Sequence, residues 1–298
     1  MKQSPVPNDS VVEFTNLEKV LWPDEGVTKG DLLDYFRSTA SAFLPHFRDR
    51  PVTMRVYPRG IDQPSFYRRE LPEGAPASIR RVAYETATDR HKVELPIIDT
   101  LDDALALANA GAIEFHLWAS RAPRLDKPDV AIFDLDSGDA APFDRILAAA
   151  AILETELSAL NLRSCPKTSG GKGMHVYVPI EPSHEFDDVR AWVEAFARHL
   201  AMRHPAHFSL AKGGTHRDEL VTIDYAQNSI GRNTAAPYTV RARPGAPVST
   251  PLSWDEVRHG GIVPLDFTLR TVPNRIEKLG DLFAPVLARD QRLPPLSE

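Results

Sequence analysis

The most constraining feature of this chain is an apolar run that ends in two acids, Val130-Ala131-Ile132-Phe133-Asp134-Leu135-Asp136. Because side chains alternate along a strand, Asp134 and Asp136 project from the same face at its end. Both faces of the run are otherwise apolar, which predicts a strand buried within a sheet. Two acids there repel each other unless a cation lies between them, and hard divalent ions such as Mg²⁺ or Mn²⁺ favour oxygen ligands. The alternative is a turn after the strand, because Asp136-Ser137-Gly138-Asp139 has a turn composition.

A second apolar run, Leu220–Tyr225, carries Asp224 near its end. A third carboxylate converging on the first two would complete the ligand set of a two-metal phosphoryl-transfer site. Taken alone, Asp224 could equally begin a turn. It is a candidate ligand because of the pair at the other strand.

A glycine-rich loop, Lys167–His175, precedes a third predicted strand. Its glycines let backbone amides approach an anion closely, and Ser169, Lys172 and His175 add side-chain donors. It is not a Walker A loop, because Pro166 stands where the first glycine belongs and a strand, not a helix, follows. Alone the segment is equally well a flexible turn, but beside the three acids it favours a triphosphate site.

Two more predicted strands place polar side chains at alternate positions. In Ile113–Trp118, Glu114 and His116 alternate with apolar residues, and a lone strand histidine is most often a structural, hydrogen-bonded residue. After Tyr238, Arg241 and Arg243 share one face and would suit a clamp on phosphate oxygens. The alternative for the arginines is a solvated surface.

The order of elements predicts an α/β (α+β) sheet domain, because helices fall between strands. Helical patterns begin at Thr28, which Asp31 would cap, and cover residues 142–160 and 187–203. The order does not fix parallel or antiparallel pairing. We expect one domain over residues 1–298, with an N-terminal lobe at about 10–110, a core at about 111–288 and short polar tails. The predicted strands are Ile113–Trp118, Val130–Leu135, Met174–Pro179, Leu220–Tyr225 and Tyr238–Ala242.

Composition narrows the function classes. The chain is 42% hydrophobic and 26% charged, which excludes a fully disordered protein. No run reaches the roughly 18 apolar residues of a membrane span, and a single cysteine excludes a disulfide scaffold. We therefore expect a cytoplasmic protein without a membrane partner.

A basic stretch lies within residues 48–92, which contain ten Lys and Arg residues and six acidic residues. The whole chain, in contrast, has a net charge of −6. A solvated face is the simpler interpretation. Because Phe66 and Tyr67 directly precede Arg68 and Arg69, a track for a nucleic-acid backbone with stacking aromatics is the competing one. Arg55 belongs to the same stretch and is a candidate DNA contact.

Taken together, these residues resemble the polymerase domain of bacterial ligase D, the end-joining polymerases of the archaeo-eukaryotic primase superfamily. The resemblance covers nearly the whole chain in order, and the ordered set is far more specific than any one motif. The matching segments are Asn16–Pro23, Thr28–Asp31, Arg50–Thr53, Ser65–Tyr67, Glu114–His116, Phe133–Asp136, Thr168–His175, Ile223–Asn228 and Ala236–Arg243.

The resemblance implies a primase-type catalytic core, with central sheets flanked by helices. It implies a template-dependent nucleotidyltransferase that preferentially adds ribonucleotides at short gaps or breaks bearing a 5′-phosphate, in DNA repair by end joining. Asp134, Asp136 and Asp224 would match the catalytic triad that holds two divalent ions, Mn²⁺ or Mg²⁺.

The remaining roles follow the same resemblance. Ser169, Lys172, His175 and Arg241, with Arg243 beside it, would bind the triphosphate, and His116 and Gln227 would lie near the sugar. The 5′-phosphate and DNA contacts would be Lys19, Lys29, Arg55, Phe66, Tyr67, Lys212 and Arg217. The family often has two phenylalanines where this chain has Phe66 and Tyr67, so the stacking geometry differs here.

The sequence contains no ligase or nuclease module, so we expect a stand-alone polymerase similar to the solitary relatives in actinobacteria. The expected partners are gapped or broken double-stranded DNA, NTP or dNTP, and a DNA ligase and an end-binding repair protein acting in trans. We expect a monomer associated with the nucleoid.

Three other functions remain open from the residues. A haloacid-dehalogenase-like phosphohydrolase would share the strand-end acids, but Ser137 and Gly138 do not reproduce its motif and the glycine-rich loop stays unexplained. A non-catalytic DNA-end-binding module would bind gaps without adding nucleotides. A primase would start chains without a primer.

Overall fold

Two mainly antiparallel sheets form the framework of the protein. The structure is a computed structural model that describes residues 13–85, 91–138, 141–210 and 220–296. The strands are β1 (Val20–Trp22), β2 (Val27–Thr28), β3 (Val52–Val56), β4 (Phe66–Arg68), β5 (Arg81–Glu85), β6 (Lys92–Pro96), β7 (Ala112–Trp118), β8 (Ser120–Arg121), β9 (Arg124–Pro128), β10 (Val130–Asp136), β11 (Cys165–Thr168), β12 (Met174–Pro179), β13 (Phe208–Ser209), β14 (Val221–Ile223) and β15 (Asn233–Ala235). The helices are α1 (Lys29–Phe47), α2 (Leu101–Asn109), α3 (Phe143–Ala159), α4 (Phe186–Arg203), α5 (Trp254–His259) and α6 (Val272–Leu279).

The first sheet carries the acidic strand at its centre. Its order is β11-β12-β10-β14-β13, antiparallel except for the pair β13 and β14. The register places Asp134 opposite His175, and it places Asp136 opposite Thr222. This sheet therefore brings the strand-end acids next to the strand that follows the glycine-rich loop.

The second sheet has the order β15-β7-β3-β4 and is antiparallel. Its register aligns Thr53 with His116, and Arg55 with both Glu114 and Tyr67. These side chains lie on one face, because directly paired residues project from the same side of a sheet. The sheet joins β3 and β4, which precede residue 110, to β7 and β15, which follow it. The predicted division into an N-terminal lobe and a core remains a prediction.

The helix starts agree with the sequence patterns. Thr28 Oγ1 accepts from the Asp31 N–H at 3.2 Å, and Asp31 Oδ2 accepts from the Thr28 N–H at 2.8 Å, which is the predicted capping box. α3 and α4 begin and end within one residue of the predicted bounds. α2 lacked a prediction, although Thr100 and Asp103 form the same kind of cap.

The central strand β10 is buried on both faces, as predicted. Ala131, Phe133 and Leu135 enter the large core with α3 and α4, whereas Val130 and Ile132 enter a second core cluster. Full burial of a side chain as large as Phe133 contributes about 1.5–3 kcal/mol, so the two cores fix the position of this strand.

The predicted strand Tyr238–Ala242 is wrong. Tyr238 has a φ of 65°, which is incompatible with a strand, and only Val240 makes an isolated bridge, with Val248. The Tyr238 carbonyl accepts from the Tyr35 hydroxyl at 2.7 Å, and its own hydroxyl donates to Asp281 at 2.7 Å. Contacts with distant parts of the chain therefore impose a turn here.

None of the helices in these described ranges is long and apolar enough to cross a membrane.

Candidate active site

A cavity of about 820 Å³ opens where the ends of β10 and β12 meet the face of β3 and β7. This volume lies in the range of small-molecule and cofactor sites. The sequence-predicted residues that line the cavity are His116, Asp134, Asp136, Ser169, Lys172, His175, Gln227, Arg241 and Arg243, with Tyr67 at one side.

The three predicted carboxylates lie at one end of the first sheet. The Asp224 N–H donates to the Asp134 carbonyl at 2.9 Å, which places the end of β14 directly beside β10. Asp224 also begins a turn, because its Oδ1 accepts from the Ala226 N–H at 3.1 Å. Burial, together with the negative charges of Asp134 and Asp224, raises the pKa of Asp136 to about 6. The three acids are thus close enough to repel one another.

The residues fit a divalent cation by their chemistry, although no group of three or more His, Cys, Asp or Glu side chains within the described ranges is already spaced to hold a metal ion. Three carboxylates are the oxygen donors that hard cations prefer. Burial and the charges of Asp134 and Asp224 together raise the pKa of Asp136, so part of the repulsion among the acids falls on this carboxyl. A cation between them would remove that repulsion.

His175 links the acids to a buried lysine. Its Nε2 lies 3.3 Å from Asp134 Oδ1, and its Nδ1 lies 2.8 Å from Lys167 Nζ. Lys167 is fully buried and also donates to Ser249 Oγ at 2.6 Å. Burial lowers the pKa of His175 to about 4, and the charge of Lys167 acts in the same direction. A neutral His175 therefore carries its proton on Nε2, because the Asp134 carboxylate can only accept.

Lys167 is a site residue that the sequence interpretation missed. Burial lowers its pKa well below the ordinary value, and the nearby Arg241 charge lowers it as well. The signal that could have revealed it is the hairpin around the glycine-rich loop, whose register pairs Lys167 with His175. Burial alone would raise the pKa of Asp134. His175 and, behind it, the charge of Lys167 outweigh that effect and lower the pKa.

The glycine-rich loop closes around the Ser169 hydroxyl, which accepts from the Gly171 and Gly173 N–H groups at 3.2 Å each. A Cβ at Gly173 would lie 2.6 Å from the Leu135 carbonyl oxygen and 2.7 Å from Asp136 Oδ1. A Cβ at Gly170, where φ is 67°, would lie 2.5 Å from Arg241 Cγ. Glycine is therefore required for the loop to approach both the acids and Arg241.

Glu114 links His116 to Arg241 at the opposite wall of the cavity. The sequence interpretation did not include it among the site residues. Glu114 is 1% exposed, and its carboxylate contacts His116, Arg241 and the Ala242 backbone. Burial alone would raise the pKa of Glu114, but the His116 hydrogen bond and the Arg241 charge lower it to about 2. Alternation within β7 predicted that Glu114 and His116 share a face, but not that both are buried at the cavity.

Gln227 and Arg243 complete the lining. The buried Gln227 Oε1 has no hydrogen-bond partner in the structure, so an acceptor remains available beside Asp134. The exposed Arg243 guanidinium lies against Gly171, and its carbonyl accepts from the buried Trp22 indole N–H at 3.0 Å. Asn228, which was not a candidate, holds β10 in place by hydrogen bonds to both backbone groups of Ile132 at 2.8 Å.

A second, smaller pocket of about 180 Å³ contains Lys19 and Lys29. Lys29 Nζ donates to the Thr15 carbonyl at 2.7 Å, and Lys19 Nζ donates to the Pro58 carbonyl. Burial lowers the pKa of Lys29, and the nearby charge of Lys19 lowers it further. Both ammonium groups of this pocket therefore donate to backbone carbonyl oxygens.

Phe66 and Tyr67 lie on opposite faces of β4, because they are consecutive residues in a strand. Phe66 lines a groove of about 340 Å³ that shares Pro58 with the lysine pocket. Tyr67 lines the large cavity and makes a T-shaped contact with the His116 ring, with centroids 5.9 Å apart. Arg55 lies 5.4 Å from the Tyr67 ring centroid, on the cavity side of the sheet. Lys212 and Arg217 lie outside the described residues.

Comparison with known families shows which family the chain belongs to. A family profile described as the LigD primase-polymerase domain matches residues 28–283, which is most of the chain. The chain belongs to this family.

LigD relatives among curated proteins match nearly all of this primase-polymerase domain. It is 33% identical over 286 residues to the multifunctional non-homologous end joining protein LigD of Pseudomonas aeruginosa, covering 95% of this chain. It is 30% identical over 279 residues to the protein of the same description from Mycolicibacterium smegmatis, covering 92% of this chain. The domain spans only 34% and 36% of the length of these two relatives.

A solved structure gives the same fold. The polymerase domain from Mycobacterium tuberculosis ligase D in complex with DNA matches with a TM-score of 0.88 at 29% identity. The match covers 94% of this chain and 99% of that one. The predicted fold class, mixed helices and sheets in a primase-type core, is confirmed.

Proposed function

We propose that this LigD primase-polymerase domain is a template-dependent nucleotidyltransferase that adds nucleotides, preferentially ribonucleotides, at short gaps or breaks bearing a 5′-phosphate during DNA end joining. The observation that carries the proposal is that Asp134 and Asp136 line one cavity with Lys172, His175 and Arg241, while Asp224 lies beside them at the end of β14. The names of the curated relatives and the DNA in the matched complex support the same class of reaction.

The reaction is attack of a primer 3′-oxygen on the α-phosphorus of a bound NTP. A bond forms between these atoms, the bond to the bridging oxygen breaks, and pyrophosphate leaves. Asp134, Asp136 and Asp224 would hold two divalent cations, Mn²⁺ or Mg²⁺, whose chemistry lowers the pKa of the 3′-hydroxyl and neutralises triphosphate charge. The rest of the work falls to the chain's own side chains.

The loop and the two arginines would hold the triphosphate. Lys172 and Arg243 line the open side of the cavity, and Arg241 hydrogen-bonds the Ser169 carbonyl, which ties it to the glycine-rich loop. The neutral His175 presents its Nε2–H as a donor beside Asp134. These positive and donor groups offset the charge that develops on pyrophosphate, and their fixed positions align the reacting atoms.

The lysine pocket would take the 5′-phosphate of the downstream strand. Lys19 and Lys29 supply the charge, and the neighbouring groove with Phe66 offers an aromatic surface to a base. Tyr67, on the other face of β4, would stack near the incoming nucleotide. A ligase and an end-binding repair protein acting in trans fit a gap-filling step, because the filled gap still needs sealing.

Primer extension tests the proposal. The substrate is a duplex with a gap of one to three nucleotides, with or without the 5′-phosphate, and rNTP is compared with dNTP in Mn²⁺ and in Mg²⁺. We expect templated addition that improves with the 5′-phosphate and that Asp134→Ala nearly abolishes. A control without primer separates this activity from that of a primase.

Two results would contradict the proposal. Binding of the gapped DNA without incorporation in either metal would leave a DNA-end-binding module. Retention of most activity by Asp134→Ala would remove these carboxylates from the chemistry. The phosphohydrolase alternative no longer applies, because the chain belongs to a different family.

A further inference from the structure

The Glu114 carboxylate is a buried junction on which three donors converge. Its Oε2 lies 3.0 Å from His116 Nε2 and 3.3 Å from Arg241 Nε, and its Oε1 accepts from the Ala242 N–H at 2.9 Å. The Arg241 contact is an ion pair without hydrogen-bond alignment, because Arg241 Nε has no hydrogen-bond partner. Glu114 Oε2 therefore contacts two residues that line the cavity, His116 and Arg241, and Oε1 is held by the backbone next to Arg241.

This junction fixes which nitrogen of His116 carries the proton. An ionised carboxylate only accepts, so the nitrogen facing Glu114, Nε2, must be protonated. Burial lowers the pKa of His116, and the charge of Arg241 also disfavours a second proton on the ring. A neutral His116 with its proton on Nε2 then has a lone pair on Nδ1, so this nitrogen is a hydrogen-bond acceptor.

The two cavity histidines therefore have opposite polarity. His175 has an acceptor-only carboxylate, Asp134, at Nε2, and Lys167 is the donor to its Nδ1. It presents a donor at the end where the acids lie. His116 has its donor bound to Glu114 and retains an acceptor, and its ring also makes a T-shaped contact with Tyr67. A hydroxyl group can donate to such an acceptor, whereas a C–H at the same place cannot.

We propose that Glu114 is a positioning residue that sets sugar specificity, by holding His116 with Nδ1 as the acceptor for the ribose 2′-hydroxyl. The proposal rests on the proposed function, in which His116 lies near the sugar of the incoming nucleotide. The same carboxylate holds Arg241 beside the glycine-rich loop. Glu114 thus joins the group that distinguishes the sugar to a group that binds the triphosphate.

The first test uses E114Q, which keeps the shape of the side chain but leaves one acceptor oxygen for three donors. Single-nucleotide addition is measured with rNTP and dNTP as kcat/KM, beside wild type. We expect the rNTP-to-dNTP ratio to fall roughly three- to tenfold, the range of one lost hydrogen bond. Any loss through Arg241 affects both nucleotides alike, so the ratio isolates the sugar contact. R241K is the matched control and should slow both nucleotides with an unchanged ratio.

A pair of histidine variants identifies the nitrogen that matters. H116N can place an amide oxygen near the position of Nδ1, whereas H116Q reaches only the position of Nε2. We expect H116N to retain more of the ribonucleotide preference than H116Q. We also expect E114Q to lower the ratio no further in the H116Q background, because both changes remove the same interaction.

A spectroscopic measurement is independent of turnover. In ¹⁵N-histidine-labelled protein, with the His116 signals assigned from their absence in H116N, the ring nitrogens should report a proton on Nε2 and none on Nδ1. In E114Q this preference should be lost. The wild-type spectrum alone shows which nitrogen of His116 carries the proton, so the proposal stays testable even if E114Q folds poorly.

The outcomes distinguish failure of the proposed function from failure of the role assigned to Glu114. If wild type adds no nucleotide to any gap, the proposed function fails. If wild type prefers rNTP but folded E114Q keeps the same ratio, or if His116 carries its proton on Nδ1, the role of Glu114 is wrong. Equal use of both nucleotides by wild type also overturns the sugar assignment while the polymerase assignment stands.

Discussion

The large cavity and the lysine pocket hold their charged groups in opposite ways. In the cavity, three side chains are each oriented by a buried side chain. Glu114 contacts both His116 and Arg241, and Lys167 contacts His175. In the pocket, Lys19 and Lys29 are held by backbone carbonyls. The cavity is built to fix donors and acceptors at set positions, whereas the pocket supplies positive charge with little orientation.

Because the cavity depends on fixed positions, a small steric change there should reduce activity more than any change in the lysine pocket. Gly173→Ala adds a Cβ 2.6 Å from the Leu135 carbonyl oxygen, so the loop or the acids must shift. We expect nucleotide addition to fall by about 100-fold, as a misplacement of about 1 Å can produce. Steady-state extension of a one-nucleotide gap measures this effect.

The matched control for that change is Gly74→Ala, because a Cβ at Gly74 has no neighbour within 4 Å. It should leave the rate unchanged and lower only the stability, since Gly74 has a φ of 76°. Full activity in Gly173→Ala would mean that the loop adapts freely, and the contrast between cavity and pocket would weaken.

The next largest effect should come from the buried lysine. Lys167→Met removes the partner of His175 Nδ1, and we expect nucleotide addition to fall roughly tenfold, as is typical when the group that orients a functional histidine is lost. The Tm should change little, because relief of the desolvation of fully buried Lys167 offsets the loss of its hydrogen bonds to His175 and Ser249. A lower Tm with normal kinetics would assign Lys167 a purely structural role.

The acids should reveal their repulsion in stability. The folded-state pKa of Asp136 is raised, to about 6, so its contribution to stability is present at low pH and is lost as the pH rises through that value. Without added metal, D136N should therefore have a higher Tm than wild type at pH 7.5, and the difference should disappear near pH 4. Mn²⁺ should raise the Tm of wild type more than that of D136N. Equal responses of both proteins would remove Asp136 from the cation site.

The smallest effect should come from the lysine pocket. Lys19→Ala should weaken binding of a 5′-phosphorylated gap by about two- to fivefold, because an exposed charge contributes little. It should spare the rate at saturating DNA and reduce the salt dependence of binding by about one charge. Lys127→Ala, which removes the partner of Glu185 elsewhere on the surface, is the control. A large loss of rate in Lys19→Ala would show that the pocket also orients the reacting end.

The sequence was most informative where the rule is local. Alternation along a strand correctly placed Asp134 and Asp136 on one face of β10, and a capping box correctly located the start of α1. The same alternation separates Phe66 from Tyr67, although their shared motif suggested one stacking site. The interpretation of the glycine-rich loop also depended on adjacent residues alone.

What escaped prediction depends on contacts between distant residues. Glu114 and Lys167 acquire their roles from the register between strands and from Arg241 and Ser249, which lie far along the chain. Tyr238–Ala242 has the composition of a strand, but Tyr35 and Asp281 hold Tyr238 in a turn. No pattern within a short window contains that information.

The order of strands in the second sheet also has a consequence for biosynthesis. Its wall of the cavity pairs β7 with β3 on one side and with β15 on the other, and Arg241 and Arg243 follow β15. A ribosome-bound chain that already displays β3, β7 and β10 still lacks Asp224, β15 and Arg241. The acids of β10 are therefore synthesised before their partner Asp224, and the three carboxylates come together only after residue 224 has emerged.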